Sequence, residues 1–136
     1  MIITGGCLCG AVRYSIDAPP LAARSCWCRV CQYIGAGSAT VNVFFPSSAL
    51  RVSGELRDLV MAADSGNMMH RRFCPSCGTH LTTGSEARPQ LVAVRAGTLD
   101  DRECVRPSMT IWTASAPSWA CIDTTLPQVA QQPPPA

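Results

Sequence analysis

The sequence predicts a mainly β fold of several small sheets, stapled by metal and containing little helix. Three observations carry this reading. Short runs rich in β-branched and aromatic residues recur along the chain. No stretch sustains a period of 3.6 residues. Seven of the nine cysteines in the 136 residues fall into three tight clusters.

The elements follow in chain order. Residues 11–17 alternate around Val12, Tyr14 and Ile16, the period of a half-buried strand. Residues 29–34 suit one short helical turn, stopped at Gly35. Residues 39–45 are rich in β-branched and aromatic residues and read as a strand. Further strands are expected at 56–61, 69–73, 91–96 and 109–113, with Gly, Pro, Ser or Asp between most of them. A length of 136 residues suits one domain, placed at 1–128. The remaining 129–136, Val-Ala-Gln-Gln-Pro-Pro-Pro-Ala, offers little to bury and is read as a flexible Pro-rich tail.

The cysteine clusters are Cys7-Leu8-Cys9-Gly10, Cys26-Trp27-Cys28-Arg29-Val30-Cys31 and Cys74-Pro75-Ser76-Cys77-Gly78. Turns this tight bring sulfurs to one side, and sulfur-only donor sets select soft ions, zinc foremost in a reducing compartment. A glycine follows the last cysteine of the first and third clusters. Such a residue permits the positive φ that turns backbone N–H groups toward sulfur. These two clusters therefore read as halves of one closed four-sulfur site: Cys7, Cys9, Cys74 and Cys77. Cys26, Cys28 and Cys31 remain as a three-sulfur set with one open position. Closed zinc sites hold folds together and open ones can do chemistry. Cys104 or Cys121 is the alternative donor that would close the second site; of the two imidazoles, His80, three residues after Cys77, is the better candidate ligand before His70.

Composition narrows the function classes. Eleven arginines and no lysine exclude Schiff-base chemistry and a lysine general base. The formal charge of +2 falls to about −1 once seven thiolates hold two divalent ions, which argues against nucleic acid as a partner. Residues 1–6 lack the start of a signal peptide, and no apolar run approaches a membrane span. Reduced cysteines, a cytoplasmic location and no membrane partner are the expectation.

Three segments together resemble a known family. They are Gly5–Tyr14 (G-G-C-x-C-G-A-V-R-Y), the C-x-C-x-x-C of Cys26–Cys31, and Arg71–Thr79 (R-x-F-C-P-x-C-G-T). Ile111-Trp112, Ala116-Pro117-Ser118-Trp119 and Leu126-Pro127-Gln128 extend the likeness. The sequence is similar to the glutathione-dependent formaldehyde-activating enzymes, a family that includes the domain of centromere protein V. The resemblance implies a β-tent of small antiparallel sheets and two zinc ions per chain. It assigns Cys7, Cys9, Cys74 and Cys77 to a structural zinc, and Cys26, Cys28 and Cys31 to a catalytic one.

The resulting expectation is a carbon–sulfur lyase resembling S-(hydroxymethyl)glutathione synthase. An open zinc site would activate a small-molecule thiol, glutathione or a similar one, for reversible addition to an aldehyde. No catalytic residue is expected beyond the ligands of that zinc. Arg29, inside the second cluster, is the first candidate to meet a substrate carboxylate, followed by Arg71 and Arg72. The competing readings are a non-catalytic zinc-stapled binding module and a thiol redox or metal-sensing protein.

Overall fold

The computed structural model describes residues 1–134. In chain order the elements are β1 (Ile3–Gly6), β2 (Arg13–Ile16), β3 (Ala22–Cys26), α1 (Arg29–Ile34), β4 (Thr40–Pro46), β5 (Leu50–Ser53), β6 (Arg57–Ala62), β7 (Met68–Phe73), β8 (His80–Ser85), β9 (Leu91–Arg95), β10 (Met109–Ile111) and β11 (Gln128–Val129). The chain is mainly β, as expected, and the one α-helix among the described residues is the anticipated turn after the second cysteine cluster.

The strands form two sheets. The smaller has the order β1-β2-β5 and is antiparallel throughout. The larger runs β11-β10-β3-β4-β9-β8-β7-β6. Its pairings are antiparallel except at one end, where β10 lies parallel to both β3 and β11. Parallel neighbours need long connections. Here the chain reaches β10 only after passing through six intervening strands.

Strand alternation gives the large sheet two unlike faces. Val43 and Phe45 on β4, and Val92 and Val94 on β9, point one way. They pack with Ile3, Tyr14 and Ile16 of the small sheet, and with Val12 just before β2, into one core. Burying each side chain of this size contributes about 1.5–3 kcal/mol. The alternate residues point the other way: Arg24 on β3, Asn42 and Phe44 on β4, Ala93 and Arg95 on β9, and Met69 and Arg71 on β7. This second face sets arginines and an asparagine among apolar side chains, and it lines a cleft.

Residues 129–134, within the segment read as a tail, run beside β10 and Trp112. Val129 pairs with Ile111. The Ala130 carbonyl accepts from the Ala114 N–H at 3.1 Å. Gln132 Oε1 accepts from Trp112 Nε1 at 3.0 Å, and Pro133 is buried. A proline run offers few donors to a sheet, but its rings can pack and its flanking glutamines can hydrogen-bond. Pro135 and Ala136 lie outside the described residues. No helix is long and apolar enough to cross a membrane.

Candidate metal centres and an adjoining cleft

The first cysteine group joins two turns distant in sequence. Cys7 and Cys9 lie between β1 and β2; Cys74 and Cys77 lie between β7 and β8. All four sulfurs are within 4.8 Å of one another. Cys7 Sγ is 3.6 Å from Cys9 Sγ, and Cys9 Sγ is 3.9 Å from Cys74 Sγ. A tetrahedral ion with bonds of about 2.3 Å spaces its sulfurs by roughly 3.8 Å, so this donor set fits zinc. The two turns match. Gly10 has φ 81° and Gly78 has φ 76°. The N–H of the next residue, Ala11 or Thr79, then reaches the sulfur two positions back.

Electrostatics shows why this group wants a cation. Hydrogen bonds from the Thr79 hydroxyl and N–H hold the Cys77 thiol down to about 5. The Ala11 N–H lowers Cys9, but the sulfur of Cys7 and burial outweigh it and push Cys9 up to about 11. Adjacent sulfurs cannot all ionise unless a metal balances them.

The second group is local. Cys26 ends β3, Cys28 caps α1 and Cys31 sits within α1. All three are buried, and their sulfurs are within 4.8 Å of one another. The Cys31 N–H donates to Cys28 Sγ at 3.4 Å. Gln32 fixes the turn: its Nε2 donates to the Trp27 carbonyl at 2.8 Å and to the Ser115 carbonyl at 3.0 Å. Cys26 and Cys28 donate toward Cys31 and hold its thiol low, helped by the Thr40 hydroxyl and the charge of Arg95. Cys28 and Cys31, with burial, push Cys26 up. One anion among three crowded sulfurs is the metal-free compromise, and a soft cation would relieve it.

Among the described residues no fourth donor joins this group. Cys104 and Cys121 are exposed and belong to neither group. His80 stacks on Phe73 with ring centroids 5.3 Å apart and is in neither group. His70 is held between Asp58 and Glu86.

Cys26, Cys28 and Cys31 all open onto this cleft, which has a volume of about 360 Å³ and lies on the arginine-bearing face of the large sheet. The 63–67 turn between β6 and β7 forms one side of it, and Trp112 with Gln132, Pro133 and Pro134 forms another. Arg29, expected to meet a substrate carboxylate, is not part of the lining. It is exposed; its Nη1 donates to Gln32 Oε1 at 2.6 Å and its guanidinium lies 5.3 Å from the Tyr33 ring centre. Arg72 is likewise outside and pairs with Asp58 at 3.5 Å. Arg71 does line the cleft. So do Arg24, Arg88 and Arg95, which the sequence reading passed over.

Fold and site together define a mainly β protein with two cysteine-only groups able to hold a metal, one of them open to a cleft. The family profile described as glutathione-dependent formaldehyde-activating enzyme matches residues 2–115, and the chain belongs to that family. A Halomonas elongata protein, provisionally named a glutathione-dependent formaldehyde-activating enzyme, is 27% identical over 131 residues, spanning 91% of this chain and 83% of that one. A Rhodobacter sphaeroides protein of known crystal structure shares 25% identity and superposes with a TM-score of 0.57, covering 76% of this chain and 91% of the other.

Proposed function

We propose that the protein is a zinc-dependent carbon–sulfur lyase of the cytoplasm, joining a small thiol such as glutathione to an aldehyde such as formaldehyde. Cys7, Cys9, Cys74 and Cys77 hold a structural zinc in this reading. Cys26, Cys28 and Cys31 hold a catalytic one. The observation that carries it is the three-sulfur group, buried, without a fourth protein donor among the described residues, and facing a cleft.

When bound, zinc supplies a Lewis acid that keeps a substrate thiol deprotonated near neutral pH. The protein's own residues do the rest. The Thr40 hydroxyl donates to Cys31 Sγ at 3.0 Å and draws charge from that sulfur. Arg95 Nη1 donates to Thr40 Oγ1 at 3.2 Å, placing a guanidinium one hydroxyl away from the thiolate. The sheet face and the 132–134 segment narrow the space in which sulfur and carbonyl carbon meet. The thiolate electron pair forms the new carbon–sulfur bond, and the carbonyl oxygen takes up a proton from solvent. The product is a hemithioacetal, and the reverse path cleaves the same bond. Three anionic ligands make a mild Lewis acid, which favours thiol activation over water activation.

The test is exchange between formaldehyde, glutathione and their adduct, followed by NMR. Zinc-loaded native protein is expected to accelerate the exchange. Cys28→Ser is expected to retain the fold, hold about one zinc fewer and lose the acceleration. Equal rates with and without native protein, across several thiols and aldehydes, would overturn the lyase reading.

A further inference from the structure

We propose that the cleft floor is a carboxylate site, in which Arg71 and Arg95 hold an acid group of a small substrate close to the three-cysteine group. The inference rests on the lyase reading only for what happens to that substrate, not for the site itself.

Two buried cations carry it. Arg71 is 3% exposed and Arg95 is 7% exposed. Arg71 Nη1, Arg95 Nε and Arg95 Nη2 are buried without a protein partner. Thr83 Oγ1 is unpartnered too, and Thr83 lies opposite Arg71 in the β7–β8 pair and opposite Ala93 in the β8–β9 pair. Arg71 and Arg95 thus lie on the strands either side of β8, Arg95 two residues along from the position opposite Thr83, their backbones about 12 Å apart. All the unpartnered buried side-chain polar atoms among the described residues belong to Arg71, His80, Thr83 and Arg95. Buried polar groups are normally paired, and a buried charge without a counter-charge is costlier still.

The bland explanation is that these arginines merely balance the thiolates. It accounts for Arg95, which reaches Cys31 through Thr40. The charge count leaves a surplus. Arg24, Arg71, Arg88 and Arg95 line the cleft, and none forms a salt bridge among the described residues. The one carboxylate in the lining, Asp64, accepts from the Arg29 N–H at 2.9 Å. Four cations against one carboxylate leave about three positive charges, and three thiolates on a divalent ion cancel about one. The remaining two match a ligand that brings a thiolate and a carboxylate together. The volume of about 360 Å³ is near the lower end of ligand pockets, about 300–1,000 Å³, and favours a compact acid.

Calorimetric titration of the zinc-loaded protein tests this with matched pairs. Propionate against 1-propanol reads the anion site alone. 3-Mercaptopropionate against 2-mercaptoethanol asks whether the acid rides on the thiol; glyoxylate against formaldehyde asks whether it rides on the carbonyl partner. Propionate should bind and propanol should not, and at least one of the other acids should bind about tenfold to a hundredfold tighter than its neutral partner. Arg71→Gln should erase that preference. Removing an uncompensated buried charge should leave its melting temperature equal to or above the native value. Should that variant misfold, displacement of the tighter acid by propionate but not by propanol, in native protein, decides the question. Equal binding of acids and neutral partners, or a preference that survives in folded Arg71→Gln, overturns the proposal. Propionate binding without any formaldehyde–glutathione exchange would keep this site and remove the lyase reading.

Discussion

Thr40 Oγ1 donates a 3.0 Å hydrogen bond to Cys31 Sγ while accepting from Arg95 Nη1 and from Asn42 Nδ2. Its hydroxyl therefore couples the three-cysteine group to the polar floor of the cleft. Partners of this kind typically tune metal affinity by about 10–100-fold. Thr40→Val keeps the side-chain shape and removes the hydroxyl. It is expected to weaken one zinc by that factor in chelator competition and leave the other zinc unchanged. Thr40→Ser should behave nearly as the native protein. A Val variant with native affinity at both sites would show that the hydroxyl has no such role.

The four-cysteine group predicts a different response. Cys9 and Cys74 are 65 residues apart in sequence yet their sulfurs are 3.9 Å apart. Structural zinc contributes about 10–16 kcal/mol, as much as or more than the 5–15 kcal/mol by which domains are typically stable. Cys74→Ser is expected to bind less zinc and to lose its near-UV circular dichroism and cooperative melting. A soluble variant with an unchanged melting temperature would show that the group is not a structural staple.

His70 gives the fold a pH signature away from both cysteine groups. Its Nδ1 is 2.7 Å from Asp58 Oδ2 and its Nε2 is 3.0 Å from Glu86 Oε1, with Arg72 opposing from the side of Asp58. Asp58 first, then Glu86, raise the imidazole above its ordinary value of about 6.5. A raised folded value means the stabilisation is fully present below pH ~6.5 and disappears as pH climbs through the folded value. The melting-temperature difference between native protein and His70→Gln should therefore be largest near pH 6 and shrink toward pH 8.5. Metal binding itself strengthens with pH, and taking the difference cancels that trend. A difference that grows with pH would contradict the assignment.

Much of this was legible in the sequence because it is local. The 39–45, 69–73 and 91–96 runs correspond to β4, β7 and β9. The glycines after Cys9 and Cys77 carry the positive φ expected of them. Strands β3 and β8 escaped because Ala-Ala-Arg-Ser-Cys and His-Leu-Thr-Thr-Gly-Ser hold few branched or aromatic apolar residues. Their burial comes from neighbours on both sides, which no local pattern reveals. The same holds for the parallel pairing of β10 and for the ordered 129–134 segment. Arg95 and Thr40 had a signal that went unused. Arg95 continues the face of Leu91 and Ala93, and Thr40 that of Asn42, so the polar side of two predicted strands marked the cleft.

The central claim is that Cys26, Cys28 and Cys31 leave a coordination position open to a thiol. Cobalt substitution tests it most directly, because the visible spectrum of a tetrahedral sulfur site reports each ligand. Protein with cobalt at both groups, titrated with glutathione or 2-mercaptoethanol, is expected to change the absorption of one site and spare the other. The effect should strengthen as pH rises toward the thiol pKa, since coordination releases a proton, and it should be absent in Cys28→Ser. A spectrum that no thiol alters would contradict the account.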